Sequence, residues 1–345
     1  MARKLLWGSL ALAPGTILIN YVTHAGDVTL FVLAALSLIP LAWLIGESTE
    51  HAAEHTGAGI GGFLNASFGN APELIIALFA IADNLPGVVR GSLAGSVISN
   101  LLLVFGVTMI AGRDAELDRR SLGVQVGLVG FAVLALIGPA VLGYQGDPER
   151  DVAVNASIPV ALVLLLAYLG VTMRNLRRHH EMPHGEPMIG SWSLPTSLAV
   201  LGVATAATAI VSEILVHSLD AFAEAVGLSE FFIAAVIVAI VGNAAEHGGA
   251  VVIAHRGKMK LASEIAISSA AQVGLLVTPA VMLLSLAFSQ PLPLTFRWIE
   301  LAAMAGSVLV VGALVVDGRS RRWEGGVLLA AYAGVVIGFL IAGDR

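Results

Sequence analysis

The sequence predicts an all-α polytopic membrane protein of eleven transmembrane helices: one N-terminal helix, then two five-helix repeats of inverted topology. Three observations carry that prediction. Apolar residues make up 57% of the 345 and charged residues 12%, about half the charge of a soluble domain. Lys and Arg collect in alternate connections between the apolar runs, as the positive-inside rule requires. Finally, the pattern Gly-Asn-Ala-x-Glu occurs twice, at Gly69–Glu73 and Gly242–Glu246, each time inside an apolar run.

A spanning helix needs about 20 apolar residues to cross ~30 Å of hydrocarbon. Such runs lie at 5–22, 30–51, 60–83, 87–111, 121–143, 152–175, 195–217, 230–255, 263–288, 295–316 and 323–342. Breaks are expected at Gly26-Asp27, His55 to Gly59, Asp83 to Pro86, Arg113 to Arg120, Gly146 to Pro148, and Arg177 to Gly190. The first run has a basic start but no small-x-small cleavage site, so it reads as a retained span rather than a signal peptide. Mean hydropathy is +0.89, and the 38 glycines suit closely packed or broken membrane helices. With no cysteine in the chain, disulfides, thiolate metal sites and iron–sulfur clusters are excluded.

With the N-terminus in the cytoplasm, fourteen of the eighteen Lys and Arg fall on the cytoplasmic side, from Arg3 and Lys4 to Arg321 and Arg322. Arg90, Arg150, Arg297 and Arg345 fall outside. The C-terminus is then external, in a multi-pass protein of the cell (inner) membrane. The implied domains are an N-terminal helix (1–28), a first repeat (29–176), a cytoplasmic linker (177–193) and a second repeat (194–345). Five spans per repeat is odd, so the second repeat enters the membrane from the opposite face. In each repeat the motif span precedes one with a polar face: Ser92, Ser96, Ser99 and Asn100, then Ser268, Ser269 and Gln272. Asn70 to Asn100 is 30 residues and Asn243 to Gln272 is 29, so order and spacing are both kept, as in inverted-repeat transporters.

An acid at bilayer depth costs at least ~2.5 kcal/mol and marks a functional site by default. Asn70 and Glu73, like Asn243 and Glu246, are three apart and share a helix face. Two carboxylates with several amides and hydroxyls in a dry place suit a hard divalent cation. Ca2+ takes 6–8 oxygens at ~2.3–2.6 Å. Glu73 and Glu246 would neutralise it, while Asn70, Asn243, Ser99, Asn100 and Gln272 supply neutral oxygens. Pro72 has no N–H, which frees the Phe68 carbonyl to face a cation. Gly69 and Gly242 let the backbone unwind at the same level; Ala245 replaces proline in the second copy, so a break there rests on Gly242. Once the cation leaves, two bare carboxylates repel each other and lack hydration, which favours protonation. Such a site exchanges Ca2+ for protons. The bland alternative is a pair of glutamates satisfied by backbone donors and serving only packing.

Glu47, Glu50 and Glu54, with His51 and His55, form a second cluster near the cytoplasmic end of the second span, and Asp220 with Glu224 its counterpart at the other mouth. An acidic vestibule that concentrates cations, a solvated helix end and a His51–His55 zinc pair all fit. His247 points away from the Glu246 face. Glu213 suits an outer pathway, while Glu264 has no evident role. Arg177, Arg178, His179, His180 and His184 read as a basic loop.

The stretch Gly62–Ile75, with Phe68-Gly69-Asn70-Ala71-Pro72-Glu73 at its heart, resembles the first repeat signature of the CAX-type calcium/proton exchangers, in the calcium/cation antiporter superfamily. Ser229 to Phe232, running on to Val241–His247, resembles the second signature; Gly91–Val104 and Ser268–Gln272 are also similar to that family. The resemblance implies the eleven-span fold, with Glu73 and Glu246 as paired cation and proton acids aided by the Asn and Ser residues. A Thr-Ser hydroxyl pair marks the sodium-coupled branch where this chain has Gly69-Asn70, which favours proton coupling. The linker departs from the acidic one common in the family: it is basic and His-rich, with only Glu181 and Glu186 as acids.

The reading is therefore an antiporter exchanging Ca2+ for H+ across the lipid bilayer, with no enzymatic activity, no cofactor and no nucleic-acid partner. Sodium coupling or a broader divalent range such as Mn2+ is the alternative. A membrane metalloenzyme would need a metal-bound water, and no H-E-x-x-H helix is present. A channel would need a continuous pore, usually with subunit symmetry.

Overall fold

The computed structural model describes residues 2–23, 25–144, 150–179 and 192–343. The first apolar run folds as α1 (Ala2–Ser9) and α2 (Leu12–Val22). Then α3 (Asp27–Phe68) runs without interruption to the first motif, and α4 (Ala71–Ala82) starts two residues later. This corrects the expected division between 30–51 and 60–83: His55 to Gly59 is helical. No proline lies between His51 and Phe68, so every N–H can join the helical ladder, and a helical glycine costs only about 1 kcal/mol. The chain breaks instead at Gly69-Asn70.

The rest of the first half is α5 (Pro86–Ile98), a π-helical segment (Ser99–Val104), α6 (Phe105–Ala111), β1 (Ala115–Glu116), α7 (Arg119–Tyr144) and α8 (Arg150–His179). The second half begins with α9 (Leu194–His217) and a short α10 (Leu219–Val226). There follow α11 (Glu230–Phe232), a π segment (Ile233–Val238), α12 (Ala239–Gly242) and α13 (Ala244–His255). It ends with α14 (Met259–Gln272), a π segment (Val273–Val277), α15 (Thr278–Ser285), α16 (Trp298–Val315), β2 (Arg319–Ser320) and α17 (Arg322–Ala342). Among the described residues the only strand pairing is the two-residue antiparallel one of β1 with β2. Residues 180–191 of the expected linker, with Glu181, His184 and Glu186, lie outside the described residues. So do the break at Gly146 to Pro148, and Arg345.

Among the described residues nine helices are long and apolar enough to cross a membrane. The two expected spans missing from that number, 60–83 and 230–255, are the ones that carry the motif. Each is interrupted there, leaving Ala71–Ala82 and Glu230–Gly242 too short to cross alone. A 108° bend separates Leu219–Val226 from Glu230–Gly242.

Contacts between connections sort the chain into two ends. At one end Trp192 packs on Trp7 and His51, and the β1–β2 pairing and an Arg322–Gly112 hydrogen bond tie further loops together. At the other end His217 faces Asp83, Arg90 donates to the Thr295 carbonyl, Arg150 to that of Pro291 and Arg297 to that of Gly343. The first end holds Arg113, Arg119, Arg120, Arg256, Lys258, Arg319, Arg321 and Arg322. Successive connections therefore alternate between a basic end and a second end with few basic residues.

The backbones of the two halves come together where α5 crosses the π segment 233–238. A Cβ on Gly91 would stand 2.9 Å from the Phe231 carbonyl oxygen, and one on Gly95 would run into the Ala235 backbone. Only glycine allows two backbones to approach so closely. That contact brings the polar face following Gly95 up to the second motif.

Candidate cation site

The two motifs break the chain in the same way. Asn70 has φ −96° and ψ 15°, Asn243 φ −91° and ψ 7°. In the first copy Pro72 removes an N–H. In the second the asparagine does the work: its side-chain Nδ2 donates to the Ala239 carbonyl at 2.9 Å, while its backbone N–H is stretched to 3.4 Å from the same oxygen. A side chain that competes for the i−4 carbonyl weakens the ladder at that turn. The carboxylates follow in the first turn of each new helix, Glu73 in α4 and Glu246 in α13.

Each motif then reaches across to the other half. Glu73 extends to the second motif, where a Cβ on Gly242, four residues before Glu246, would be 3.2 Å from its Oε1. Asn70 Nδ2 donates to Gln272 Oε1 at 2.8 Å. In the mirrored arrangement Asn100 Nδ2 donates to Asn243 Oδ1 at 3.2 Å. Asn243 Nδ2 also donates to Ser96 Oγ at 2.9 Å, and Asn100 Nδ2 to Ser269 Oγ at 3.1 Å. Each motif asparagine thus engages the polar helix of the opposite half of the chain.

This network leaves acceptors uncommitted. Glu73 Oε2, Glu246 Oε2 and Asn100 Oδ1 are buried and accept no hydrogen bond from the protein. Leaving a buried acceptor unsatisfied costs ~1–3 kcal/mol, more if charged. Three such oxygens, two from carboxylates, are what a hard cation or a pair of protons would satisfy. The donor set is oxygen only: among the described residues no group of three or more His, Cys, Asp or Glu is placed to hold a metal.

The structure separates the expected neutral ligands into two kinds. Asn243 and Gln272 have their amide oxygens occupied by the N–H groups of Asn100 and Asn70, so they orient other side chains. Ser99 is fully buried and its hydroxyl bonds the Ser96 carbonyl. It opens the π segment 99–104, whose partner 273–277 begins directly after Gln272. Single π turns inside helices are frequent at functional sites. Phe68 ends α3 and packs against Leu44, Ile45, Leu201 and Ala204; its carbonyl has no i+4 N–H because Pro72 lacks one. His247 Nε2 is buried without a partner.

Beyond the centre, His51 lies 3.7 Å from Glu47 and 3.8 Å from Glu54 under the Trp192 ring. His55 contacts the Trp192 carbonyl at 2.6 Å. Glu50, Asp220 and Glu224 are exposed. Glu213 lines a cleft of about 270 Å3 with Asn20, Tyr21, Asp27 and His217. Sequence reasoning missed Ser96 and Ser269 as individual partners of the amides, although Ser96 and Asn100 stand at the i, i+4 spacing that shares a face. It also missed Glu300, fully buried and paired with Arg297 at 2.7 Å, and Glu324, paired with Arg321 at 2.8 Å. Both belong to an Arg-x-x-Glu capping box that opens an apolar helix.

Broken helices meeting in the interior, a buried and a half-buried carboxylate, and an all-oxygen donor set define a multi-pass membrane transporter of cations. The comparisons with known proteins narrow this. The family model described as sodium/calcium exchanger protein matches residues 27–176 and 196–341, and the chain belongs to that family. It is 38% identical over 336 residues to the Ca2+/H+ antiporter ChaA of Bacillus subtilis, covering 94% of this chain and 95% of that one. It is 33% identical to the Ca2+/H+ antiporter of Aphanothece halophytica, covering 97% and 95%. The solved structure of native YfkE superimposes with a TM-score of 0.84 at 36% identity, over 97% of this chain and 99% of that one.

Proposed function

We propose that this protein is a secondary antiporter that exchanges Ca2+ for H+ by alternating access. The observation that carries the reading is the crossing of Glu73 to Gly242, with the buried oxygens of Glu73, Glu246 and Asn100 left open. Relatives named Ca2+/H+ antiporters over nearly the whole chain support it. Glu73 and Glu246 bind Ca2+ together, with Asn100 Oδ1, the Asn70 amide and the Phe68 carbonyl as neutral donors. Asn243 and Gln272 hold Asn100 and Asn70 in place, and Ser99 anchors the π turn behind them. When the ion departs, each carboxylate takes up a proton, because two bare acids in a dry site are the least stable state it could adopt. Only the loaded or the protonated site then crosses between the two access states, which couples the fluxes.

The half-helices at the motifs complete two further crossings, giving eleven spans: a first helix and two inverted repeats of five. The alternation of connections between two ends supports this, since it leaves the N-terminal helix at one end and Gly343 at the other. Under the positive-inside rule the arginine-rich end is cytoplasmic and the C-terminus external. Radiolabelled calcium uptake into everted vesicles tests the function. Uptake should follow an imposed pH gradient without sodium and collapse when a protonophore removes that gradient. Uptake that needs sodium and ignores the pH gradient would overturn the proton-coupled reading.

A further inference from the structure

We propose that the groove between α7 and α16 is a binding site for one anionic phospholipid, an inference that rests on the membrane-spanning reading of the chain and not on the ion it carries. The groove encloses about 510 Å3, within the range of ligand sites. Its floor is made by Gly123, Gly127, Gly130 and Gly312, and Arg119 closes one end. The two helices touch near its floor, where a Cβ on Gly130 would be 3.4 Å from Val308 and one on Gly312 3.6 Å from Val126. At Gly123 and Gly127, by contrast, an added Cβ would meet nothing within 4 Å. From Arg119 to Gly130 the groove extends about 16 Å at the helical rise, roughly half the hydrocarbon thickness.

Its surroundings select the occupant. Leu309 and Val316 on the wall are 71% and 56% exposed, as is Val124 beside it at 57%, so the groove opens toward acyl chains. The closed end is cationic. Arg119 and Arg120 are exposed and make no ion pair among the described residues. Of the acids nearby, Asp118 accepts the backbone N–H groups of Arg120 and Ser121, Asp317 pairs with Arg321 at 2.8 Å, and Glu116 is exposed on β1 opposite Arg319. Two arginines open α7, directly after the Asp118 carboxylate that accepts its first N–H groups. Basic pockets between helices at the headgroup level are where anionic lipids dock. A second copy of this chain would have to bring its own anion to the same point.

The test is native mass spectrometry of the full chain after reconstitution in phosphatidylcholine vesicles containing one-third phosphatidylglycerol. The wild type should carry one retained lipid, strongly enriched in phosphatidylglycerol. Gly127→Leu fills the open floor and should lose the retained lipid. Arg119→Gln with Arg120→Gln, both at exposed positions, should keep a lipid but lose the anionic preference by roughly 30-fold, at ~1 kcal/mol per arginine. Equal retention by Gly127→Leu, or an unchanged preference in the double arginine variant, would overturn the site. A wild-type dimer that Gly127→Leu converts to monomer, with lipid content unchanged, would assign the face to self-association instead.

Discussion

Gly242→Ala probes the site with the least change in chemistry. The added Cβ would stand 3.2 Å from Glu73 Oε1, 3.4 Å from Cδ and 3.5 Å from Cγ, and its three closest contacts are all atoms of Glu73. Carbon contacts relax at about 3.5–4.0 Å, so the carboxylate must retreat by a few tenths of an ångström. Ca2+–oxygen distances span only about 0.3 Å, from ~2.3 to 2.6 Å, so a retreat of that size is enough to spoil the ligand. Displaced supporting groups around metals typically lose 10–100-fold in affinity, or ~1.4–2.8 kcal/mol. The fold should not suffer, because Gly242 closes a helix and alanine favours helix over glycine by up to ~1 kcal/mol. The apparent KM for Ca2+ in pH-driven uptake should therefore rise at least tenfold while the melting temperature holds. An unchanged KM at an unchanged melting temperature would refute the placement of Glu73 against the second motif.

Three further outcomes follow from the same geometry. Glu73→Gln and Glu246→Gln keep shape but remove both charge and titratable proton, so each should reduce pH-driven calcium uptake at least 100-fold in a protein that still elutes as the wild type does. Asn243→Ala removes the bonds to Ser96 and to the Ala239 carbonyl; it should let the helix re-form across the break and lower uptake more than tenfold, with far-UV circular dichroism unchanged or slightly more helical. Away from the membrane-spanning segments, the Arg319 backbone N–H, followed by Arg321, holds the Asp317 carboxyl below its usual range. The loop order it provides is present above the ordinary aspartate range and is lost as pH falls through the depressed value. Amide exchange at Arg319 should accelerate only under such acid, and Asp317→Asn should abolish that pH dependence.

Much of this architecture was legible in the sequence because the bilayer imposes simple rules. Run length and arginine placement gave the expected spans, and the described helices follow the later ones within a few residues. The expectation failed at 55–59, where glycines look like a loop by local preference but are helical within α3. Glycine only weakens a helix, whereas Pro72 removes a hydrogen bond and Asn243 diverts one. The repeated motif pointed to a shared site but not to its wiring. Nothing local in the sequence says that Asn70 binds Gln272 rather than Asn100, since the pairing depends on how two distant spans cross. Nor does any local signal announce the π segments at 99–104 and 273–277. Glu300 escaped notice because one acid in an otherwise apolar run reads as a helix end until its Arg297 partner is seen.

The wiring itself has a mechanical consequence. If each motif bonded only the span that follows it in its own repeat, the two halves could rock past one another with both half-sites intact. The bonds run the other way: Asn70 to Gln272, Asn100 to Asn243, Asn243 to Ser96. Each of these three bonds crosses between the two halves of the chain, and Glu73 crosses as well. A relative movement of the two halves would therefore strain the proposed site on both sides together. The close approach of Gly95 to Ala235 keeps that crossing point tight, and packed interfaces shift between discrete arrangements rather than deforming continuously. A cation that bridges Glu73 and Glu246 would hold the cage closed, and two protons would do the same by removing the repulsion. On the proposed reading, a bare, doubly charged site would push its own halves apart and resist the transition. Strict exchange can thus arise from the cross-repeat bonding alone, without any separate gate to enforce it.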